Sequence, residues 1–262
     1  MTFTDLLAGT DTGSSATTVY EIPETWMQGR TAYGGLTAAL CAEEARRRFD
    51  GLPPLRTAQV AFVGPATEQL VAEATLIRQG KSTAFVEVTL RGEKGIATRG
   101  MFVYGAPRPS EVRFLDLAAP SVAKPADLEV LPSAPPLPAF LRNFDLAVAA
   151  GNIPYTGSDE AVVTWWGRHH DPAARSTAIG LLALGDLLPP AASPRMSTFA
   201  PVSSVNWHVD FLSDDLSSQD GWFLMDSRAE SAGDGWSAQQ MAMWSHDGRP
   251  VMAGRQSIVV FS

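Results

Sequence analysis

The sequence has one cysteine and four histidines among its 262 residues. That excludes an intramolecular disulfide, a Cys-rich zinc site and an iron–sulfur cluster. Cys41 lies in the largely apolar stretch Leu36–Cys41 and reads as a buried, reduced thiol. Positive charge is also scarce. Lys and Arg number 20 against 28 Asp and Glu, for a net charge of −8. A global basic footprint for nucleic acid or anionic lipid is therefore missing. Long apolar runs are absent too: the longest, Ala178 to Leu188, is about half of what a bilayer needs and contains Asp186. Met1–Ser15 carries Asp5 and Asp11 and no early basic residue, unlike a signal peptide. A cytoplasmic protein is the default expectation, with neither a membrane nor nucleic acid as partner. The sequence holds no Gly-x-Ser-x-Gly elbow, no phosphate loop, no Gly-x-Gly-x-x-Gly and no His-Glu-x-x-His. His169 and His170 are neighbours and, at a strand edge, point to opposite faces, which suits shared metal ligation poorly. No metal and no cofactor is expected.

What is present reads as an ordinary globular chain, with 45% hydrophobic and 18% charged residues. Eight prolines, Pro107, Pro109, Pro120, Pro125, Pro132, Pro135, Pro136 and Pro138, divide it near the middle. Proline removes amide donors and disfavours helix before it, so this stretch predicts a surface connector with at most a short helical turn. After a short lead-in, Tyr33-Gly34-Gly35 opens a helix over Leu36–Arg48, rich in Ala and Leu, with basic residues in its last turns. Its first turns are apolar nearly all round and should be wrapped by other structure. Glu43 and Glu44, beside Arg46–Arg48, read as a solvated end. Strand-like runs follow at about 56–63, 69–79, 83–92 and 95–105. In the third, Ala84, Val86, Val88 and Leu90 alternate with polar residues, Phe85 being the exception.

The second half repeats the order. Ala161–Arg168 reads as a strand, Asp171-Pro172 as the start of a helix running to about Leu188, and Pro189-Pro190 as its stop. Runs at about 199–212, 221–231, 235–245 and 250–261 follow. Placing Arg255 on Arg99 also aligns Ala253 with Ala97 and Val259 with Val103. An apolar helix followed by a meander needs the sheet to wrap around it, which is a hot-dog arrangement. Two copies predict an α+β double hot dog: 1–108 an N-terminal hot dog, 109–150 the connector, 151–262 a C-terminal hot dog. Two unrelated α+β domains are the alternative.

Two polar residues stand in apolar elements. Asp186 shares a helix face with Ile179, Leu182 and Ala183, in the last turn, where the dipole disfavours negative charge. Desolvation and dipole should both raise its pKa. It reads equally as a functional acid or as a structural one bonded to an amide or arginine. Gln256 lies in the terminal apolar strand, where the first half has Gly100. Ser203 and Ser204 enter another strand, a common place for turn or cap serines.

Trp26-Met-Gln-Gly-Arg30 followed by Tyr33-Gly-Gly35 resembles the opening of the thioesterase II type of acyl-CoA thioesterases, a double hot-dog family. The pattern continues in Arg56-Thr-Ala-Gln-Val-Ala-Phe-Val-Gly-Pro65, in Arg78-Gln-Gly-Lys-Ser82 and in Asp247-Gly-Arg-Pro-Val-Met-Ala-Gly-Arg-Gln256. The resemblance implies hydrolysis of acyl-CoA by direct attack of water. It assigns a helix acid to Asp186, a strand-entry hydroxyl to Ser204 (Ser203 if the register slips by one) and a last-strand amide to Gln256. Asp186 would take the proton of the water that Ser204 and Gln256 hold. Gly34 and Gly35, at a helix start, are the candidates to approach the ligand. Trp207, Trp222, Trp236 and Trp244 could line an acyl groove, although aromatic residues in strands are usually core. Arg78, Lys81, Arg99 or Arg255 could meet the coenzyme A phosphates, although two of them read equally as solvated turn residues. The segment Phe211-Leu-Ser-Asp-Asp215 departs from the family's His-Arg-Pro-like continuation at that mouth. Self-association into a homodimer or larger homo-oligomer is implied as well. A hydratase on this fold would need a helix His, which neither helix has. A non-hydrolysing acyl-CoA binding or sensing module remains the alternative.

Overall fold

The computed structural model describes residues 1–11, 17–134 and 137–261. Pro135 and Pro136 of the proline cluster lie outside them, as do residues 12–16 of the lead-in. The first half runs α1 (Phe3–Leu7), β1 (Thr10–Asp11), β2 (Thr17–Glu21), a small hairpin of β3 (Met27–Gln28) and β4 (Thr31–Ala32), then α2 (Gly34–Arg48). The meander β5 (Leu55–Phe62), β6 (Gln69–Gln79), β7 (Thr83–Gly92) and β8 (Gly95–Gly105) follows it. The second half runs β9 (Phe144–Gly151), β10 (Val162–His169), α3 (Ala178–Gly185), β11 (Val202–Phe211), β12 (Phe223–Gly233), β13 (Trp236–Ser245) and β14 (Pro250–Val260).

Twelve of these strands form one antiparallel sheet in the order β1-β2-β6-β7-β8-β5-β11-β14-β13-β12-β10-β9. The order reads alike outward from the centre, so β5 answers β11, β8 answers β14 and β7 answers β13. The two halves join where β5 pairs with β11, from Thr57 opposite Asp210 to Ala61 opposite Asn206. Period-two patterning decides which side chains face inward: Ala84, Val86, Val88 and Leu90 are buried on β7. Phe85 points the other way and is half-buried. The helices lie inside the curve, α2 against β6, β7, β8 and α3, and α3 also against β10. This is the expected double hot dog. Its central helix is lined with Ala38, Ala39, Ala42 and Ala45, all buried. Small side chains let helix and sheet approach closely, and truncating a buried leucine such as Leu36 or Leu40 should cost about 2–5 kcal/mol.

Four expectations need correction. Strands β2 and β9 were not foreseen; β2 pairs with β6, and β9 pairs with β10, so the sheet begins inside the stretch read as connector. The helix expected from Pro172 is a 3-10 turn, Pro172–Ala174, under Asp171, whose carboxylate accepts from Ala173 N at 3.0 Å. The α-helix proper starts later, where Thr177 Oγ1 accepts from Gly180 N at 2.9 Å. Glu43 and Glu44 are not solvated but buried. Arg46 and Arg48 each reach one of them at 2.6 Å, and Tyr20 Oη donates to Glu44. The charges sit inside because each is paired and hydrogen-bonded. The fourth concerns the tryptophans. Trp166, Trp222 and Trp244 cluster on the outer face, under Leu117, Ala119, Val122 and Leu128 of the connector. Their packing there explains its path: Trp166 Nε1 donates to Ala123 O and Trp244 Nε1 to Leu117 O, both at 2.9 Å. Among the described residues no helix is long and apolar enough to cross a membrane.

Candidate active site

The helix α3 is apolar throughout, and Pro189-Pro190 prevents its continuation. Asp186 is its C-cap residue, with φ −92° and ψ 9°. It thus stands just past the last turn rather than within it. The N-terminus of α2 faces it from the other half. A Cβ built on Gly34 would lie 2.6 Å from Asp186 Oδ2, so only glycine leaves that oxygen room. The Gly35 amide donates to the Asp186 carboxylate. Tyr33, buried and stacked on Phe140 with ring centroids 4.0 Å apart, donates its hydroxyl to Ala183 O at 2.8 Å. One helix start and one helix end are locked together around the acid. Gly34 and Gly35 therefore touch Asp186 itself. The Phe62 ring also closes on Gly34, 3.2 Å from the same built Cβ. Nothing in the strand pattern singles out Phe62 from its neighbours.

The remaining groups come from the sheet. On β14, inward positions alternate through Met252, Gly254, Gln256 and Ile258, which puts Gln256 under α3. Its Nε2 donates to Asp186 Oδ1 at 2.7 Å and to Ser204 Oγ at 3.0 Å. Ser204 is therefore the serine of the trio. Ser203 is exposed, its hydroxyl turned to the Ser204 carbonyl. A bulge between Ser204 and Asn206 decides between them. Without the extra residue, the alternation set by inward-facing Trp207 would carry Ser203 inward. With it, Ser204 pairs with buried Ile258 and faces the site. Gln239, which sequence reasoning passed over, completes the arrangement. It is fully buried on β13 directly opposite Gln256. Its Nε2 donates to Gln256 Oε1 at 2.9 Å, and its Oε1 accepts from Ala191 N at 2.8 Å. Its only sequence signal is a glutamine two residues before Met241 and four before Met243, on one alternating face of the strand.

Burial pushes the Asp186 carboxyl up to about 7, against the pull of its hydrogen bonds from Gln256 and the Gly35 amide. The direction matches the sequence expectation. The dominant cause is desolvation; the acid caps the C-terminus of α3 but also faces the N-terminus of α2, whose Gly35 amide pulls its pKa the other way. The acid is enclosed but keeps a partly accessible edge. Beside it, a narrow cavity of about 10 Å³ runs under Gly185, lined among others by Trp207, Met225, Met241, Met243 and Met252.

Other sequence candidates lie elsewhere. Of the four tryptophans, Trp207 lines this cavity; Trp236 is exposed. Arg99 and Arg255 flank inward-facing positions, sit on the outer face and pair with Glu87 and Glu230. His169 is buried against the Gly180 carbonyl at 2.9 Å, while exposed His170 meets Asp145. Burial holds His169 down at about 4, so it is neutral. No group of three or more potential metal ligands occurs among the described residues.

Two family descriptions match the sequence. Residues 22–105 match the acyl-CoA thioesterase N-terminal domain and residues 120–260 the acyl-CoA thioesterase C-terminal domain. Among solved structures, a conserved hot-dog protein of unknown function from Alicyclobacillus acidocaldarius superposes with a TM-score of 0.88 at 22% identity, covering 99% of this chain and 98% of that one. A putative thioesterase II from Thermobifida fusca YX gives 0.81 at 18% identity, covering 99% and 97%. The tesB protein of Mycobacterium avium subs paratuberculosis gives 0.80 at 16%, covering 99% and 98%. At these identities the likeness carries the fold. No curated protein matches the sequence.

Proposed function

Since this chain belongs to the acyl-CoA thioesterase family, whose two domain descriptions match its two halves, we propose that Asp186, Ser204 and Gln256 are where it hydrolyses acyl-CoA. The products are a free acid and coenzyme A, and water attacks directly. The observation that carries this reading is the trio itself: an acid at about 7, hydrogen-bonded at 2.7 Å to an amide that also holds a hydroxyl at 3.0 Å.

The chemistry follows from the donors. Gln256 commits both amide hydrogens, one to Asp186 and one to Ser204, so it couples these groups instead of holding the water. Ser204 accepts from Gln256, which leaves its own hydrogen for the water. Asp186 takes a proton from that water as its oxygen bonds to the thioester carbonyl carbon. The carbonyl oxygen becomes an oxyanion, and the N-terminal end of α2 at Gly34 and Gly35 supplies the positive field nearest to it. Collapse breaks the carbon–sulfur bond. The proton on Asp186 passes to the departing thiolate, and the base is restored. An acid titrating near 7 suits both halves of this exchange. The acyl chain enters under Gly185, where flexible methionines yield to it.

The test is release of free thiol from acyl-CoA esters of graded chain length. The Asp186→Asn variant should lose ~10²–10⁴-fold in turnover while still binding acyl-CoA. Turnover close to that of the unaltered protein would remove Asp186 as the base.

A further inference from the structure

The three groups of the trio do not by themselves fix which way the Gln256 amide points. Its nitrogen and oxygen are nearly the same size, and Ser204 can either donate or accept. With Asp186 ionised, the NH₂ end is drawn to the carboxylate. Once Asp186 has taken the proton of water, the acid becomes a donor, and the carbonyl end of Gln256 would serve it as well. A flip at that moment would bind the proton to Gln256 and turn the Ser204 hydrogen away from the substrate.

A second amide prevents the flip. Ala191 N–H is a backbone donor and accepts nothing, so the atom of Gln239 that meets it at 2.8 Å must be the oxygen. The other end of Gln239 is then NH₂, and it meets Gln256 at 2.9 Å. Only the carbonyl of Gln256 can receive it. The NH₂ of Gln256 must accordingly face Asp186 and Ser204. The direction of each bond is thus set from a backbone amide, which no protonation state reverses. Ala191 follows Pro189-Pro190 on the segment that leaves Asp186, so chain and side chains close a ring from Asp186 back to Asp186. Gln239 is fully buried, and water cannot substitute for either bond. The first half offers a comparison within the molecule. There the matching cross-strand pair is Val88 opposite Gly100, against Gln239 opposite Gln256. The two glutamines occur together, and in the half with the acid.

We propose that Gln239 is a positioning residue that imposes one amide orientation on Gln256 through the whole catalytic cycle. The proposal rests on the hydrolytic reading above. It touches neither substrate nor water and acts through Gln256.

The experiment compares Gln239→Met, Gln239→Glu, Gln256→Ala and the double variant Gln239→Met/Gln256→Ala by thiol release across pH, with folding checked by thermal unfolding. For Gln239→Met, kcat should fall about tenfold with KM little changed, the effect of losing roughly one hydrogen bond's worth of orientation. In the double variant, Gln239→Met should add nothing to the loss from Gln256→Ala, because its effect passes through that amide. For Gln239→Glu, the introduced carboxyl can donate only while protonated. Activity should therefore fall again on the alkaline side, giving a bell where the unaltered protein shows a single ascending limb. This second variant keeps the test open if Gln239→Met does not fold. An unchanged kcat in folded Gln239→Met overturns the proposal. So does a loss that multiplies with that of Gln256→Ala, or a Gln239→Glu profile with no descending limb. If instead Asp186→Asn and Gln256→Ala retain normal turnover, the hydrolytic reading itself has failed, which is a different result.

Discussion

Gln256 Nε2 stands 2.7 Å from Asp186 Oδ1 and binds the acid from the last strand of the sheet. The partner is a neutral amide. An arginine at this place would hold the carboxylate well below its ordinary range. An amide stabilises the anion far less, so burial prevails and the acid titrates at about 7.

That balance fixes a pH dependence. Turnover should rise with pH through about 7, as Asp186 loses its proton and becomes a base. Gln256→Ala removes a hydrogen bond that lowers this pKa, so its ascending limb should move to higher pH as well as to lower rate. Initial rates of thiol release at fixed, saturating acyl-CoA between pH 5 and 9 read both. A limb that stays in place in Gln256→Ala would mean another group controls it.

The same pKa bears on stability. In the unfolded chain the Asp186 carboxyl titrates near 3.8, and in the folded chain near 7. Between these values the folded state holds a proton that the unfolded state has lost. Stability therefore falls as pH rises from about 4 to about 7 and is unaffected by this group above that. Asp186→Asn abolishes the loss. The variant should be more stable than the parent at pH 8, on the order of 1–3 kcal/mol given the residual exposure of the acid. The gap should close toward pH 4. Denaturant unfolding of both proteins at the two pH values measures it; a constant difference would exclude Asp186 as the source.

Much of this was legible in the sequence because it was written in periodicity or in isolation. The meander strands showed in alternation such as Ala84–Val86–Val88–Leu90, and Asp186 and Gln256 showed as polar residues in apolar runs. What stayed hidden depended on partners distant in sequence. Strand β2 is only five residues long and gains its identity by pairing with β6. Glu43 and Glu44 look solvated until Arg46, Arg48 and Tyr20 enclose them. Ser204 could not be told from Ser203, because a one-residue bulge carries no sequence mark. Gln239 gains its meaning from a cross-strand neighbour and from an amide in the loop after α3.

The bulge makes a sharp contrast testable. Ser204→Ala should lower turnover by about ten- to a hundredfold, since it removes the hydroxyl that Gln256 holds and that the proposed mechanism turns toward the water. Ser203→Ala, one residue away on the exposed side, should leave kcat within about twofold. Parallel thiol-release assays decide it. Equal losses would mean the bulge does not hold the register described.

Gly34→Ala should act on the acid directly. The added methyl would lie 2.6 Å from Asp186 Oδ2 and 3.2 Å from the Phe62 ring. Either the carboxylate or the start of α2 must move. A drop in turnover of about a hundredfold is expected, in line with a displacement near 1 Å at a reacting group. Circular dichroism should show an intact fold. Normal turnover would mean that this approach is looser than described.

The last expectation concerns stoichiometry. A double hot dog has two pseudo-equivalent positions under its helices, but the halves are furnished differently. On β14 the inward position is Gln256, with Gln239 beside it; on β8 it is Gly100, with Val88 beside it. The space at Gly100 is taken: a built Cβ there would lie 2.5 Å from the buried Phe102 ring and 3.6 Å from Cys41 Cβ. Cys41 cannot act as a substitute, because burial and nearby Glu44 push its thiol far above its ordinary pKa, leaving no thiolate. The first half thus lacks the amide and the room, and its buried acids, Glu43 and Glu44, are tied up in ion pairs with Arg46 and Arg48. One non-hydrolysable acyl-CoA analogue should bind per chain, measured by calorimetric titration against a chain concentration fixed by amino-acid analysis. Asp186→Asn should keep that stoichiometry at one while turnover falls, since it removes the base and not the pocket. Two equivalent sites per chain, each retaining turnover when the other is disabled, would overturn the asymmetric arrangement whatever the oligomeric state.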